Sequence, residues 1–187
     1  MQKTLLVVTC VAALRMSNAW ATDACAASIP EALRILIPGQ FPGYRIPQES
    51  DYDATDIKFS LDHRSNPCVG VTHGTYYPDG ASDYAIILSS TDDAQAALLV
   101  VASPANSTWR LERVWDWEDV TAGSLYVQTT APGKYERTEA LEGPVSKRGE
   151  QKRYTSKRQG ILAGKIESSV AAFFFDGKAW IHVWISD

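Results

Sequence analysis

An α+β fold is predicted: an antiparallel β-meander of about six to eight strands, packed against N-terminal helices and tied by one disulfide. Three observations predict it. Helix-patterned segments occur only near the front of the chain. From Cys68 onward, runs rich in β-branched and aromatic residues alternate with short turn signals. Two cysteines, Cys25 and Cys68, remain once an N-terminal leader is set aside.

The leader is residues 1–21. Lys3 precedes an apolar run from Leu5 to Leu14, and Ala19-Trp20-Ala21 closes the segment with a small-x-small site. That order is the pattern of a secretory signal peptide. The run is too short for a transmembrane helix, which needs about 20 residues. Anchoring a lipid on Cys10 fits poorly, because Thr9 precedes it and it lies deep in the apolar run. Residues 22–187 then form a single α+β domain, expected in the periplasm or outside the cell, with no membrane span. The net charge is −4, and cleavage removes Lys3 and Arg15. An acidic chain of this kind argues against general nucleic-acid binding.

Each element follows from local pattern. Residues 28–37 read as a helix, with Ser28 as cap, Pro30 in the first turn and Glu31 at the positive end. Leu33, Leu36 and Ile37 form its apolar stripe, and Pro38-Gly39 stops it. FPGYRIP is an extended link. A second helix starts near Asp53, with Ile57 and Leu61 repeating at four and Phe59 nearby, and ends at Ser65-Asn66-Pro67. Glu49, Asp51, Asp53 and Asp56 crowd its front, where carboxylates cap the helix and oppose its dipole. The strands are CVGVTHGTYY, DYAIILSS, AALLVVAS, TWRLERVWDW, GSLYVQTT, VAAFFFD and AWIHVWIS. Asp176-Gly177 is the strongest hairpin signal among the turns. Trp180, His182 and Trp184 alternate with Ile181, Val183 and Ile185, which predicts a central strand covered on both faces. His182 is expected to be a hydrogen-bonded core residue. In an exported protein Cys25 and Cys68 are expected to pair, contributing roughly 3–4 kcal/mol by closing a long loop. A catalytic thiol is the alternative reading of the same residues.

The stretch GTYYPDGASDY (74–84) has the spacing of an aspartate-rich calcium loop. With position 1 at Thr75, Tyr77 falls at 3, Asp79 at 5, Gly80 at 6 and Asp83 at 9. It resembles the D-x-[DN]-x-D-G-x-x-D loop of FG-GAP/VCBS repeats through Asp79, Gly80, Asp83 and the apolar strand after them. The resemblance implies a calcium site on Asp79 and Asp83. Thr75 and Tyr77 supply no carboxylates, and a plain β-turn explains Pro78-Asp79-Gly80 as well. No cofactor is therefore expected, with calcium the alternative. The chain as a whole resembles a family of secreted proteobacterial proteins without assigned function. The similarity is carried by FPGYRIPQESDYDATDIKFSL, the Asp-Gly-x-x-Asp-Tyr loop, LERVWDW, LYV, YTSKRQGI and FFFDGKAWIHVWISD. It implies compartment and fold more than chemistry.

No catalytic signature is present: no G-x-S-x-G, H-E-x-x-H, G-x-x-x-x-G-K-[ST] or G-x-G-x-x-G. Two surfaces are candidates for contact. VSKRGEQKRYTSKRQG carries Lys147-Arg148, Lys152-Arg153 and Lys157-Arg158, opposed only by Glu150. Its period of five lines no face of a helix or strand, so a solvated loop or hairpin is the simple reading. An anionic envelope component or the acidic face of a protein is the functional one, with Tyr154 as anchor. In RVWDWED, Trp115 and Trp117 share one strand face, as core or as an open platform. The sequence thus predicts an exported, non-catalytic binding protein, of which an inhibitor or immunity-type protein is one form. The alternative is a cell-wall or metal-assisted hydrolase around His73, Asp79 and Asp83. A third reading is a component of an envelope assembly.

Overall fold

The computed structural model describes residues 23–64, 66–92, 95–141, 144–145 and 149–186. The leader, Ser65, Lys147 and Arg148 lie outside the described residues.

The chain enters with one helical turn, α1 (Ala24–Ala27), in which the N–H groups of Cys25 and Ala26 donate to Asp23 Oδ1. Ser28 closes this turn through its Oγ on the Ala24 carbonyl; it does not open the next helix. α2 (Glu31–Gln40) starts after Pro30 and runs through Pro38. The expected stop at Pro38-Gly39 is displaced to Phe41. Proline at 38 forfeits one intrahelical bond, and the last turn still closes through Phe41 N–H to the Ile37 carbonyl. Leu33 and Ile37 are fully buried, which stabilises the helix by about 1.5–3 kcal/mol per side chain. β1 (Tyr44–Arg45) and a 3-10 turn at Glu49–Asp51 lead to α3 (Ala54–Arg64). Of the apolar residues read on α3 only Ile57 packs on the core, while Phe59 is 58% exposed and Leu61 46% exposed. Ile57, Ser60 and Arg64 hold the helix instead. Ser60 Oγ donates to the Asn66 carbonyl, and Arg64 reaches the Val127 carbonyl at 2.9 Å.

The strands after α3 are β2 (Val71–Gly74), β3 (Asp83–Ser90), β4 (Ala97–Ala105), β5 (Thr108–Trp117), β6 (Leu125–Thr130), β7 (Gly133–Glu136), β8 (Arg153–Ser156), β9 (Gly160–Lys165), β10 (Val170–Phe175) and β11 (Trp180–Ser186). Every named ladder is antiparallel. The α+β class holds, with eleven strands among the described residues. The additional ones are β1, β7, β8 and β9. They build one sheet in the order β1-β3-β4-β5, with β2 also on β3, a second in the order β11-β10-β9-β6, and a ribbon of β7 and β8.

The layers follow from side-chain alternation. One face of the first sheet (Ile86, Leu88, Leu98, Val100) packs on Cys25, Ile29, Leu33 and Ile37 of the helical layer. Its other face (Ala85, Ile87, Leu99, Val101) packs on Leu125, Val127, Ile161 and Phe173 of the second sheet. The ribbon covers the far side of that sheet, with Tyr135 and Tyr154 against Phe174. β3 and β4 are therefore buried on both faces and read as continuous apolar runs.

β11 is an edge strand, not the central strand its two apolar faces suggested. Its faces are covered by the first sheet and the ribbon, and its outer edge is met by the backbone of Thr138, Gly149 and Gln151. Thr138 N–H donates to Trp184 O, Gln151 N–H to His182 O, and His182 N–H to Gly149 O. Beside these contacts Arg137 pairs with the buried Glu150 at 3.1 Å. Cys25 and Cys68 form the disulfide, closing 43 residues and joining the helical layer to the approach to β2. No described helix is long and apolar enough to cross a membrane.

Candidate functional site

The two sheets meet along one side and diverge along the other. At the closed side Val127 N–H donates to the Val69 carbonyl, and Thr72 bonds Thr129 at 3.1 Å. At the open side lie β5 and β11. A bulge in β5 shapes this mouth: Leu99 pairs with Trp115 and Val100 with Arg113, leaving Val114 as the extra residue. Val114, Trp115 and Trp117 consequently all turn toward the inter-sheet core.

Trp115 and Trp117 from β5 and Trp180 and Trp184 from β11 line a cleft of about 820 Å³. All four are half-buried, so each packs on the core and keeps part of its surface in the cleft. The rings of Trp115 and Trp184 lie 6.0 Å apart with planes crossing at 81°. His182 is buried behind them, 4.7 Å from Trp115 and 5.6 Å from Phe173 between ring centroids. It is a core histidine, as its place among tryptophans implied.

One end of the cleft is bridged by Glu112. Its Oε2 accepts from Tyr77 Oη at 2.6 Å and from Trp180 Nε1 at 2.9 Å. Arg110 stacks 4.1 Å over the Tyr77 ring and stands 3.9 Å from Glu112. Burial, with the hydrogen bond to Glu112, pushes the Tyr77 phenol well above the usual tyrosine range, so it stays a donor. The opposite rim is acidic. Arg113 forms a fork on Asp116, and that pairing holds the guanidinium above its ordinary value. Glu118 and Asp119 are exposed and line the same cleft. Asp119 has φ 58°, a left-handed conformation uncommon outside glycine, though Asp and Asn tolerate it best.

The structure therefore turns the Trp115/Trp117 face into one wall of a cleft: neither sealed core nor flat platform. Sequence reasoning missed Trp180, Trp184, Glu112 and Tyr77 as its partners. The Asp176-Gly177 hairpin signal placed Trp180 at a strand start, but nothing local showed that β5 and β11 are facing edges.

The calcium-like loop has a structural explanation. Asp83 is fully buried, and its Oδ2 accepts from the N–H groups of Tyr76 (2.7 Å) and Tyr77 (3.2 Å). Asp79 is exposed and takes the Ala81 N–H at 3.1 Å in the turn that Gly80 completes at φ 72°. His73 pairs with Tyr84 and shares its face on the helix side, whereas Asp83, one residue earlier, points between the sheets. The trio does not converge. Among the described residues, no three His, Cys, Asp or Glu side chains gather to hold a metal.

The front-end acids are also structural. Asp51 pairs bidentately with Arg45 at 2.7 Å and accepts the Gln48 N–H, and Asp53 accepts the Thr55 N–H at the start of α3. Despite the opposing effect of burial, the bonds to Arg45 and Gln48 keep the Asp51 carboxyl below its ordinary value.

Of the basic pairs, Lys152, Arg153, Lys157 and Arg158 are exposed on β8 and just before and after it. Tyr154 points inward, its ring 5.3 Å from Phe174. The ribbon covers the side of β11 opposite the tryptophans, so the two candidate surfaces face different directions. A smaller cleft of about 400 Å³ lies beside α3, between Phe59, Arg64, Tyr126 and Ile166, with Asp56 and Glu167 at its margin. Burial lowers the Arg64 guanidinium from its usual value and raises the Asp56 carboxyl.

No protein-family model matches the chain, and neither a curated protein nor a solved structure matches it.

Proposed function

We propose that this chain is an exported, non-catalytic binding protein of the periplasm or cell envelope, and that it grips its partner at the cleft between β5 and β11. An inhibitor or immunity-type protein is one form this takes. One observation carries the reading: four half-buried tryptophans converge on a cleft at the mouth of the sheet sandwich. Large aromatic side chains with part of their surface open supply contact area at little entropic cost, which is why they dominate interface energetics. The disulfide fits an oxidising compartment. The exposed basic residues of the β8 ribbon offer a second, separate contact for an anionic envelope component.

The hydrolase reading gains no support from geometry, since His73 and Asp83 lie on opposite faces of one sheet. The test is affinity capture from envelope extract with the native chain and with Trp117→Ala. A partner retained by the native chain and lost by the variant is the expected result. Equal capture by both moves the contact away from the cleft.

A further inference from the structure

We propose that the occupant of the tryptophan cleft is a basic segment of a partner protein, with a lysine or arginine side chain held against the indole faces under the Glu118–Asp119 rim. This rests on the cleft being the contact site. The argument is one of charge and shape. Trp115 and Trp184 cross at 81°, so the cleft wall is a corner, not the flat platform on which sugar rings stack. An indole face attracts a cation within about 6 Å of its centroid, and the attraction strengthens as water is excluded. The carboxylates around the cleft are not equivalent. Glu112 is engaged by Tyr77 and Trp180, and Asp116 by Arg113. Glu118 and Asp119 form no ion pair among the described residues, and both are exposed at the cleft. A cationic side chain resting on the open indole surface of the cleft would meet these two charges uncompensated. A neutral ligand would leave them idle, and an anionic one would be repelled.

The probe is hexalysine, titrated into the full chain and followed by intrinsic tryptophan fluorescence, with hexaglutamate and chitotetraose as contrasts. The rim variant is Glu118→Gln with Asp119→Asn, since both sites are exposed and asparagine tolerates the left-handed φ of residue 119. The expected result is a saturable fluorescence change with hexalysine only. Its affinity should fall about tenfold in the rim variant and be lost in Trp117→Ala. The circular dichroism spectrum and melting temperature of each variant establish that it is folded. No response to hexalysine, a response unchanged in the rim variant, or a response to chitotetraose alone overturns the proposal. Should Trp117→Ala abolish partner capture while hexalysine gives no response, the cleft is still a contact site but its occupant is not cationic.

Discussion

Asp83 illustrates how a residue suited to a metal loop can serve as a backbone staple. Its carboxylate is buried and takes the N–H groups of two successive tyrosines, fixing the path of 75–82 against the inter-sheet core. Replacing it with alanine leaves two buried donors without that acceptor. Asp83→Ala should lower unfolding free energy by about 1–3 kcal/mol in urea titration, with or without added calcium. A loss that appears only when calcium is present would reinstate the metal reading. Asp51 carries the pH dependence. Its carboxyl sits below its ordinary value in the fold, held by Arg45 and the Gln48 N–H. A depressed carboxyl contributes stability that is complete above the unfolded value, about 3.9, and disappears as pH falls through the lower folded value. The melting temperature of Asp51→Asn should therefore lie below that of the native chain at neutral pH, and the two should converge in acid. A gap that widens on acidification would contradict this.

At the scale of elements, the bulge in β5 and the turn after it decide the site. The extra residue at Val114 keeps Trp115 and Trp117 on the inter-sheet side while Arg113 and Asp116 pair outside. The 3-10 turn Ala122–Ser124 then carries the chain from the first sheet to the second. At Gly123 this turn touches the Asp51 backbone, and a Cβ there would collide with the Asp51 carbonyl oxygen. Backbone against backbone cannot relax by a rotamer change. Gly123→Ala should cost about 1–3 kcal/mol and displace the Glu49–Asp51 turn, measurable as a lower urea midpoint. Unchanged stability would mean that the crossover turn is looser than its contacts indicate.

For the whole molecule, the disulfide and the cleft belong to different interlayer cores. Cys25–Cys68 ties the helical layer to the first sheet, while the tryptophans close the far side of that sheet against the second. Removing the cross-link by Cys25→Ser with Cys68→Ser frees 43 residues in the unfolded chain. The expected loss is roughly 3–4 kcal/mol in urea unfolding. The folded double variant should keep the native tryptophan emission and the hexalysine response. A shifted emission would show that the two layers are coupled more tightly than their separate cores suggest.

Local pattern alone determined the α+β class, the pairing of Cys25 with Cys68, the hairpin at Asp176-Gly177 and the bounds of β3 and β5. Those features depend on alternation and turn chemistry, which are written in neighbouring residues, and on a cysteine count that leaves one pairing. It did not determine that the strands divide into two sheets, that β11 is an edge, or that α3 leaves Phe59 and Leu61 in water. Apolar residues on both faces look the same whether a strand is flanked by other strands on both sides or lies at an edge under a ribbon. The site has the same origin. Trp115 and Trp184 are 69 positions apart in the chain, and only the packing of one sheet on the other brings their rings within 6.0 Å.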